Sequence, residues 1–217
     1  MKSFKVFLFD LDGVLVDTAK YHYLAWKRLA NELGFQFTEE QNERLKGVSR
    51  MRSLEILLEI GNIEVGEEKK KELAAKKNEW YVEYISTMDS SQILPGVKEF
   101  LQELKNAGKK TALGSASKNA MIIVTNTGLL PYFDAVIDGT KVTKAKPDPE
   151  VFLLGAEALA ARPKECVVFE DAEAGIEAAK QAGMYAVGIG SRQRLVKADL
   201  IIPSLEGFSL ADLEKNL

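Results

Sequence analysis

Short apolar runs recur along the chain, and stretches in which apolar residues have helical spacing lie between them. Runs without alternation of apolar and polar residues are typical of strands covered on both faces, and intervening helices favour parallel crossover connections. The sequence therefore predicts an α/β fold with an open sheet. The predicted strands are Val6–Phe9, Thr111–Leu113, Ala135–Ile137, Val167–Phe169 and Ala186–Ile189, with Leu200–Ile202 as an edge strand.

About a hundred residues separate the first two predicted strands, and their apolar spacing is helical throughout. A simple crossover needs only about a dozen residues. We therefore predict a helical cap domain, residues 16–90, above the C-terminal end of the first strand, where open α/β sheets bind ligands. The core domain would comprise residues 1–15 and 91–217. The predicted cap helices are 18–33, 38–46, 50–59 and 67–87, with a Thr38–Gln41 capping box.

Composition and charge exclude several classes of protein. The 217 residues are 46% hydrophobic and 28% charged, and the net charge of -3 gives no general attraction for nucleic acid or an anionic membrane. Asp10 and Asp12 interrupt the N-terminal apolar run before a signal peptide or a spanning helix could form. A lone cysteine, Cys166, excludes an intrachain disulfide. We expect a cytoplasmic monomer, with Cys166 as an inert buried thiol and Trp26 and Trp80 in the cap core.

Asp10 and Asp12 stand where the first predicted strand gives way to a glycine-containing turn. Both carboxylates would face the ligand crevice if the chain loops there. An Asx-turn that merely ends the strand is the more ordinary explanation of an isolated Asp-x-Asp-Gly pattern. The other strand ends decide between the two interpretations.

Three further strand ends carry groups that phosphoryl transfer requires. Ser115–Asn119 follows the second strand with small hydroxyl residues opening a helix, where backbone N–H groups and hydroxyls can hold phosphate oxygens. Lys146 lies in a proline-containing loop before a helix, and Glu170–Asp171 ends the fourth strand. Singly, these are explained as an N-cap, a surface lysine and a helix-entry acid pair. Together, at successive strand ends, they indicate one site.

Electrostatics explains why these residues belong in one crevice. Close carboxylates repel by about 4 kcal/mol per pair at an effective dielectric constant of 20, so they need a cation. Oxygen ligands without an available cysteine favour Mg²⁺. The ion, Lys146 and Ser115 would neutralise the phosphoryl group, while Asp10 attacks phosphorus and Asp12 moves a proton on or off the reacting hydroxyl.

These four motifs, Asp10-x-Asp12, Ser115, Lys146 and Glu170–Asp171, resemble those of the haloacid dehalogenase superfamily of phosphotransferases across the whole chain. The resemblance implies a Rossmann-like core with an inserted helical cap, and a phosphoryl group carried on Asp10. It also implies Mg²⁺ bound by Asp10, the Asp12 main chain and Asp171, with Glu170 close by.

Within this superfamily, four segments are similar to those of the β-phosphoglucomutase family: Asp17–His22, Leu45–Arg50, Lys76–Asn78 and Ser115–Asn119. Enzymes of that family interconvert β-glucose 1-phosphate and glucose 6-phosphate through glucose 1,6-bisphosphate. The resemblance implies a small sugar phosphate as the partner and the bisphosphate as intermediate and activator. Ala172 and Glu173 replace the Ser and Gln of that family, which leaves the metal ligand in place.

The same resemblance assigns roles by position. It implies that Thr18 lies in the cap hinge and assists catalysis, and that His22 and Lys77 couple sugar binding to cap closure. The remaining residues implied to bind the sugar phosphate are Lys46, Gly47, Val48, Ser49, Arg50, Ser117, Lys118 and Asn119.

Alternatives to this assignment stay open. Arg50 offers a planar fork for a phosphate that is not reacting, which a mutase needs and a phosphatase need not have. Taken alone, however, Arg50 and Lys77 are explained as solvated surface charges, and His22 as a packed or surface residue. A phosphatase of the superfamily would use the same motifs and release inorganic phosphate. An inactive sugar-phosphate sensor would keep the fold without needing Asp10 and Asp12 together.

Overall fold

A single six-stranded parallel sheet forms the centre of the computed structural model, which describes residues 4–45 and 48–216. The strand order is β3-β2-β1-β4-β5-β6, the doubly wound order in which ligands bind beyond the carboxyl ends of the strands. The predicted α/β sheet is therefore confirmed. The strands are β1 Val6–Phe9, β2 Lys110–Gly114, β3 Ala135–Ile137, β4 Cys166–Glu170, β5 Tyr185–Ile189 and β6 Leu200–Ile202.

Strand β1 lies at the middle of the sheet, paired in parallel with β2 on one side and β4 on the other. All four of its residues are buried because helices cover both faces, which explains the continuous apolar run. Phe7 and Phe9 belong to the apolar cluster on one face, where the ring of Phe9 stacks 4.8 Å from that of Phe169. Val6 and Leu8 belong to the cluster on the other face.

Nine α-helices occur in the described residues; five of them lie between β1 and β2, and the first four of these form the insert. Short 3-10 turns at Glu43–Leu45, Ser90–Gln92, Leu130–Tyr132 and Pro163–Glu165 join some of these elements. The four inserted helices are α1 Ala19–Glu32, α2 Glu39–Asn42, α3 Arg50–Gly61 and α4 Glu67–Ser86. The others are α5 Val97–Asn106, α6 Ala120–Asn126, α7 Glu150–Ala158, α8 Glu173–Gln181 and α9 Leu210–Lys215.

The predicted helix 38–46 is wrong in its second half. Thr38 and Gln41 form the predicted capping box, with each side chain accepting a hydrogen bond from the other residue's backbone N–H. Helix α2 nevertheless ends at Asn42, and the chain tightens into the 3-10 turn Glu43–Leu45. A helix this short gains little from its own hydrogen bonds, so the local packing of the next turn decides where it ends.

Helices α1 to α4 are referred to below as the cap. Among them, α1, α3 and α4 pack on one another through a shared apolar core. Trp26 and Trp80 are buried in this core as predicted. The same apolar cluster continues onto the Phe9 face of the sheet. The division into domains at residues 15/16 and 90/91 stays a prediction. Among the described helices, none combines the length and the apolar character needed to cross a bilayer.

Burial also determines the protonation of the single thiol group. Cys166 begins β4 and is fully buried, and its thiol donates a hydrogen bond to the carbonyl oxygen of Arg162. Burial raises the pKa of the Cys166 thiol to about 11, with a further contribution from the charge of Glu165. Because the thiolate is the reactive form, the structure supports the prediction of an inert thiol.

Gly96 precedes α5 at a point where two parts of the backbone nearly touch. It has a φ of 81°, and a Cβ placed there would lie 2.1 Å from the carbonyl oxygen of Leu205. Gly108, which follows the same helix, has a φ of 65° but open space around the corresponding position. Alanine at Gly108 would therefore meet only the strain of left-handed backbone, whereas alanine at Gly96 would meet that strain and a steric clash.

We expect Gly108→Ala to lower the free energy of unfolding by roughly 1 kcal/mol, the cost of left-handed backbone for a residue with a Cβ. Gly96→Ala should cost about 3 kcal/mol or more, because overpacking against a rigid backbone adds to the same strain. Urea unfolding of both variants and the wild type measures the difference. Equal destabilisation would show that the Leu205 segment moves aside at no cost.

Candidate active site

The first carboxylate of the site directly follows β1. The backbone N–H of Asp10 donates to the carbonyl oxygen of Phe169 on β4 at 3.0 Å, so the sheet holds Asp10 in place. The N–H of Asp12 donates to Oδ2 of Asp10 at 3.1 Å, and Gly13 follows with a φ of 77°. The Asx-turn that was the ordinary interpretation is therefore present. It does not exclude the functional interpretation, because the same turn keeps both aspartates at the ligand-binding edge.

Lys146 is the cation at the centre of the acidic group. Its side chain is 2% exposed, and its Nζ lies 2.5 Å from Oδ1 of Asp10 and 2.8 Å from Oε2 of Glu170. Burial alone would lower the pKa of Lys146, but the two carboxylates raise it above its ordinary value. Lys146 is therefore a permanent positive charge beside Asp10, as predicted, and not a surface lysine.

Asp10, Glu170 and Asp171 together form a set that fits a hard divalent cation. Each offers one carboxylate oxygen, and these oxygens all lie within 4.8 Å of one another. Burial, and then the nearby charge of Asp10, raise the pKa of Glu170 to about 8. The set contains more negative charge than Lys146 neutralises, and its donors are the oxygen ligands that Mg²⁺ prefers. These residues therefore fit the predicted ion.

Two glycines make room for the acidic pair that follows β4. A Cβ on Gly13 would lie 2.2 Å from Oδ2 of Asp171, and one on Gly175 would lie 2.0 Å from Cδ of Glu170. A Cβ at either position would displace the carboxylate that faces it. The turn after β1 and the first turn of α8 thus leave space that the two carboxylates occupy.

The side chain of Asp12 is not part of the three-residue cluster that could hold a metal. Its Oδ1 accepts a hydrogen bond from the hydroxyl of Thr18, and it lies 4.0 Å from Nε2 of His22. Burial and the charge of Asp10 raise the pKa of Asp12 to about 6, against the opposing effect of the Thr18 hydrogen bond. A carboxyl group with this pKa can both hold and release a proton near neutral pH.

His22 on α1 and Lys77 on α4 contact each other on the cavity side of the cap. Nζ of Lys77 lies 3.0 Å from Nδ1 of His22, and the ring of Tyr81 stacks on that of His22 with centroids 4.1 Å apart. Burial, and then the charge of Arg50, lower the pKa of Lys77 to about 7. Burial and the charge of Lys77 hold the pKa of His22 well below its usual range. The imidazole is therefore neutral, with Nδ1 placed to accept from Lys77.

The loop after β2 is shaped by its own hydroxyl groups. Oγ of Ser115 accepts from the N–H of Ser117 at 3.1 Å, and Oγ of Ser117 accepts from the N–H of Asn119 at 3.2 Å. These two backbone N–H groups, expected to be available for phosphate, are thus hydrogen-bonded within the loop. Short polar side chains commonly compete for nearby backbone groups in this way. Ser117, Lys118 and Asn119 nevertheless line the cavity described below.

The structure describes three residues of the segment predicted to hold a distal phosphate. Val48, Ser49 and Arg50 line the same cavity, and Ser49 caps α3 by accepting from the N–H of Arg52. Burial lowers the pKa of the Arg50 guanidinium from its usual value. Lys46 and Gly47 lie outside the described residues.

One cavity of about 560 Å³ lies between the cap and the carboxyl edge of the sheet. Asp10, Asp12 and Lys146 line it from the sheet side, and Arg50 and Lys77 line it from the cap side. The sequence-predicted residues that the structure describes, apart from the buried Ser115, are thus gathered around one space. Its volume is within the range of small-molecule sites.

The contacts that join the cap to the sheet side of the site were not predicted. Nδ2 of Asn119 donates to Oδ1 of Asn78 at 2.8 Å, and Nη1 of Arg194 lies 3.1 Å from Oε2 of Glu43. Asn78 is adjacent to Lys77 in a segment that the sequence singled out, so a signal for it existed. Arg194 and Glu43 are 151 positions apart, and no local pattern relates them.

Comparison with known proteins agrees with this geometry. Residues 4–183 match the family model described as haloacid dehalogenase-like hydrolase. A β-phosphoglucomutase of Bacillus subtilis is 43% identical over 208 residues, which cover 95% of this chain and 92% of that protein. A phosphorylated carbohydrates phosphatase of Thermotoga maritima is 36% identical, covering 83% of this chain and 82% of that protein.

A solved structure has a similar fold. The crystal structure of a β-phosphoglucomutase from Clostridium difficile superposes with a TM-score of 0.93 at 41% sequence identity. The match covers 98% of this chain and 96% of that one. The likeness therefore extends over the sheet and the cap together.

We expect Lys146→Met to lower the free energy of unfolding by about 3–5 kcal/mol in metal-free buffer, because two buried carboxylates lose their cation. Mg²⁺ should restore part of this loss, since it supplies positive charge to the same oxygens. Denaturant unfolding with and without Mg²⁺ measures both effects. Lys144→Met is the matched control, because the side chain of Lys144 is 71% exposed. A Lys146→Met protein as stable as this control would contradict the central role of the buried ion pair.

Proposed function

This chain belongs to the haloacid dehalogenase-like hydrolase family, and we propose that it is a β-phosphoglucomutase, an enzyme that interconverts β-D-glucose 1-phosphate and D-glucose 6-phosphate. One observation carries the proposal: a single cavity has Asp10 and Lys146 on its sheet side and Arg50 on its cap side. A bisphosphorylated sugar needs one group for the phosphate that reacts and a second for the phosphate that does not. This arrangement offers both.

Asp10 is the proposed nucleophile. One of its carboxylate oxygens attacks phosphorus, the bond between phosphorus and the leaving oxygen breaks, and Asp10 becomes an acyl phosphate. The ammonium of Lys146, 2.5 Å from Oδ1, holds the carboxylate in place and reduces its repulsion of the phosphoryl oxygens. Mg²⁺ held by Asp10, the Asp12 main chain and Asp171, with Glu170 nearby, would supply further neutralisation of the phosphoryl group.

Asp12 is the proposed general acid and base. It gives a proton to the sugar oxygen that leaves phosphorus, and it takes a proton from the sugar hydroxyl that later attacks the phosphorylated Asp10. The hydroxyl of Thr18 donates to Oδ1 of Asp12 and so fixes the orientation of its carboxyl group. The raised pKa of Asp12, about 6, keeps both protonation states accessible.

The cap is proposed to hold the phosphate that is not reacting. Arg50 offers two parallel N–H donors, and Val48 and Ser49 lie beside it, with Lys46 and Gly47 next in the chain. β-Glucose 1,6-bisphosphate is then the intermediate and activator, bound with either phosphate toward Asp10. The sugar between them would contact Ser117, Lys118 and Asn119.

Water must be excluded for a mutase to transfer phosphate to a sugar. The cap contacts the sheet side of the site through the Asn78–Asn119 hydrogen bond and through Arg194 and Glu43. His22 and Lys77 line the cavity from the cap, so a bound sugar phosphate would touch both halves at once. Closure around the sugar would position Asp12 only when the correct acceptor is present.

A hexose phosphatase is the second candidate function. The 36% identical relative from Thermotoga maritima is named for phosphatase activity, and the sheet-side residues serve that reaction equally well. Arg50 favours the mutase, since hydrolysis of a single phosphoester needs no second phosphate site. We infer further that the enzyme acts as a cytoplasmic monomer on a small sugar phosphate, in keeping with its net charge of -3 and its buried lone thiol.

Phosphorus NMR tests the proposed function. With Mg²⁺, β-glucose 1-phosphate and trace β-glucose 1,6-bisphosphate, we expect the glucose 6-phosphate resonance to grow while inorganic phosphate stays a minor product. The cap and its contacts are the reason, because they favour a sugar hydroxyl over water as acceptor. Inorganic phosphate that accumulates in step with substrate loss, without glucose 6-phosphate, would instead identify a phosphatase.

Asp10→Asn should reduce the turnover rate by at least about 10⁴-fold, as expected when the nucleophile of an enzyme is removed. Its stability should change little, because the asparagine oxygen can still accept from Lys146 and one charge leaves a crowded acidic cluster. Turnover and thermal unfolding are measured on the same preparation. Asp89→Asn, an exposed residue outside the cavity, serves as the control and should retain full activity. An active Asp10→Asn enzyme would remove Asp10 from the nucleophile role.

A further inference from the structure

The hydroxyl of Tyr81 is a buried donor that the mechanism above does not use. Tyr81 lies on α4 with 1% of its surface exposed. Its hydroxyl has no hydrogen-bond partner among the described residues. Within the described part of the chain, no other fully buried side-chain polar atom lacks a partner. Buried hydroxyls are nearly always hydrogen-bonded, so this exception requires an explanation.

The tyrosine ring is held firmly by its neighbours. His22 stacks on it with an angle of 25° between the two planes, and Nζ of Lys77 lies 4.6 Å from the ring centroid. Both neighbours are the cap residues that lie near Asp12, as described above. Nζ of Lys77 is itself 3.0 Å from Nδ1 of His22, so the two groups contact the ring together and orient it.

Tyr81 borders the space that the proposed function assigns to the sugar. It lines the cavity that also contains Asp12 and Arg50. Burial raises the pKa of Tyr81 well above its usual value, the charge of Asp12 raises it further, and the charge of Arg50 acts in the opposite direction. The phenol therefore lies within the influence of both residues and stays protonated, as a hydrogen-bond donor.

We propose that Tyr81 is a specificity-determining residue whose hydroxyl donates a hydrogen bond to a sugar oxygen, at the part of the substrate between its two phosphate positions. The proposal rests on the proposed function, which places one phosphate at Asp10 and the other at Arg50. In the free enzyme the donor is unsatisfied, which is unfavourable. Binding of the sugar supplies the acceptor, so the interaction favours sugar phosphates over inorganic phosphate and water.

Tyr81→Phe separates this role from a structural one, because it removes only the hydroxyl. Without ligand, the variant should unfold at the same temperature as the wild type or higher, since a buried unsatisfied group has been deleted. Its dissociation constant for glucose 6-phosphate should rise about three- to tenfold, the usual net value of one hydrogen bond. Its dissociation constant for inorganic phosphate should stay unchanged. A tyrosine that serves only packing would lose unfolding temperature without this selectivity.

The experiment is isothermal titration calorimetry of the wild type, Tyr81→Phe and Tyr84→Phe in Mg²⁺ buffer, with glucose 6-phosphate and with inorganic phosphate. Tyr84 is the matched control, since it lies on the same helix but outside the cavity. Its variant should bind both probes like the wild type. An unchanged glucose 6-phosphate constant in Tyr81→Phe would overturn the proposal. Equal weakening for both probes would also overturn it, because the hydroxyl would then contact phosphate and not the sugar.

Isomerase activity of the wild type is measured alongside, so that the two proposals can fail separately. A wild type that binds glucose 6-phosphate without isomerising it would overturn the proposed function, while the titrations would still decide the role of Tyr81. A wild type that binds no glucose 6-phosphate would overturn both.

Discussion

Buried charges of opposite sign, held together at the edge of a parallel sheet, are the interaction on which the rest of the site depends. Lys146 contacts carboxylates from two neighbouring strand ends, and Asp10 and Lys146 are 136 positions apart in sequence. The isolated charges would each be costly to bury, and only their mutual contact makes the arrangement tolerable. The parallel topology makes that contact possible, since all strands deliver their last residues to one edge. Catalytic capacity and stability therefore come from the same few atoms.

The cap side of the cavity is basic, whereas the sheet side is acidic. The charged residues of the cap near the cavity are basic, yet burial lowers the pKa of Lys77 and of His22. The cap side thus has less positive charge than its sequence indicates, which limits its attraction to the acidic sheet side in the absence of ligand. A sugar phosphate brings the negative charge that both halves can share. This offers a physical reason why a bound sugar phosphate would strengthen the contact between the two halves.

The sequence predicted the sheet and the inserted helices because burial on both faces leaves an unmistakable apolar pattern. It was less accurate at the ends of elements: β2 and β4 each extend by one residue at both ends, to Lys110 and Gly114 and to Cys166 and Glu170, because backbone pairing continues beyond the apolar run. The sheet-side site residues were predictable because they follow strand ends, whereas the cap residues were assigned from the resemblance to a family. Tyr81 was not predicted, since beside Trp80 it has the pattern of an ordinary core position. Whether its hydroxyl finds a partner is decided only by packing.

Gly13 and Gly175 illustrate how chemistry can depend on atoms that are absent. Each faces a carboxylate at a distance that no side chain could occupy, although neither glycine takes part in bond making. Substitution of either glycine would displace a carboxylate of the site, so a survey of tolerated substitutions would mark both positions along with the nucleophile. A position in this enzyme can therefore be intolerant to mutation because a neighbouring side chain needs the space, or because the residue itself reacts. The structure is needed to distinguish the two cases.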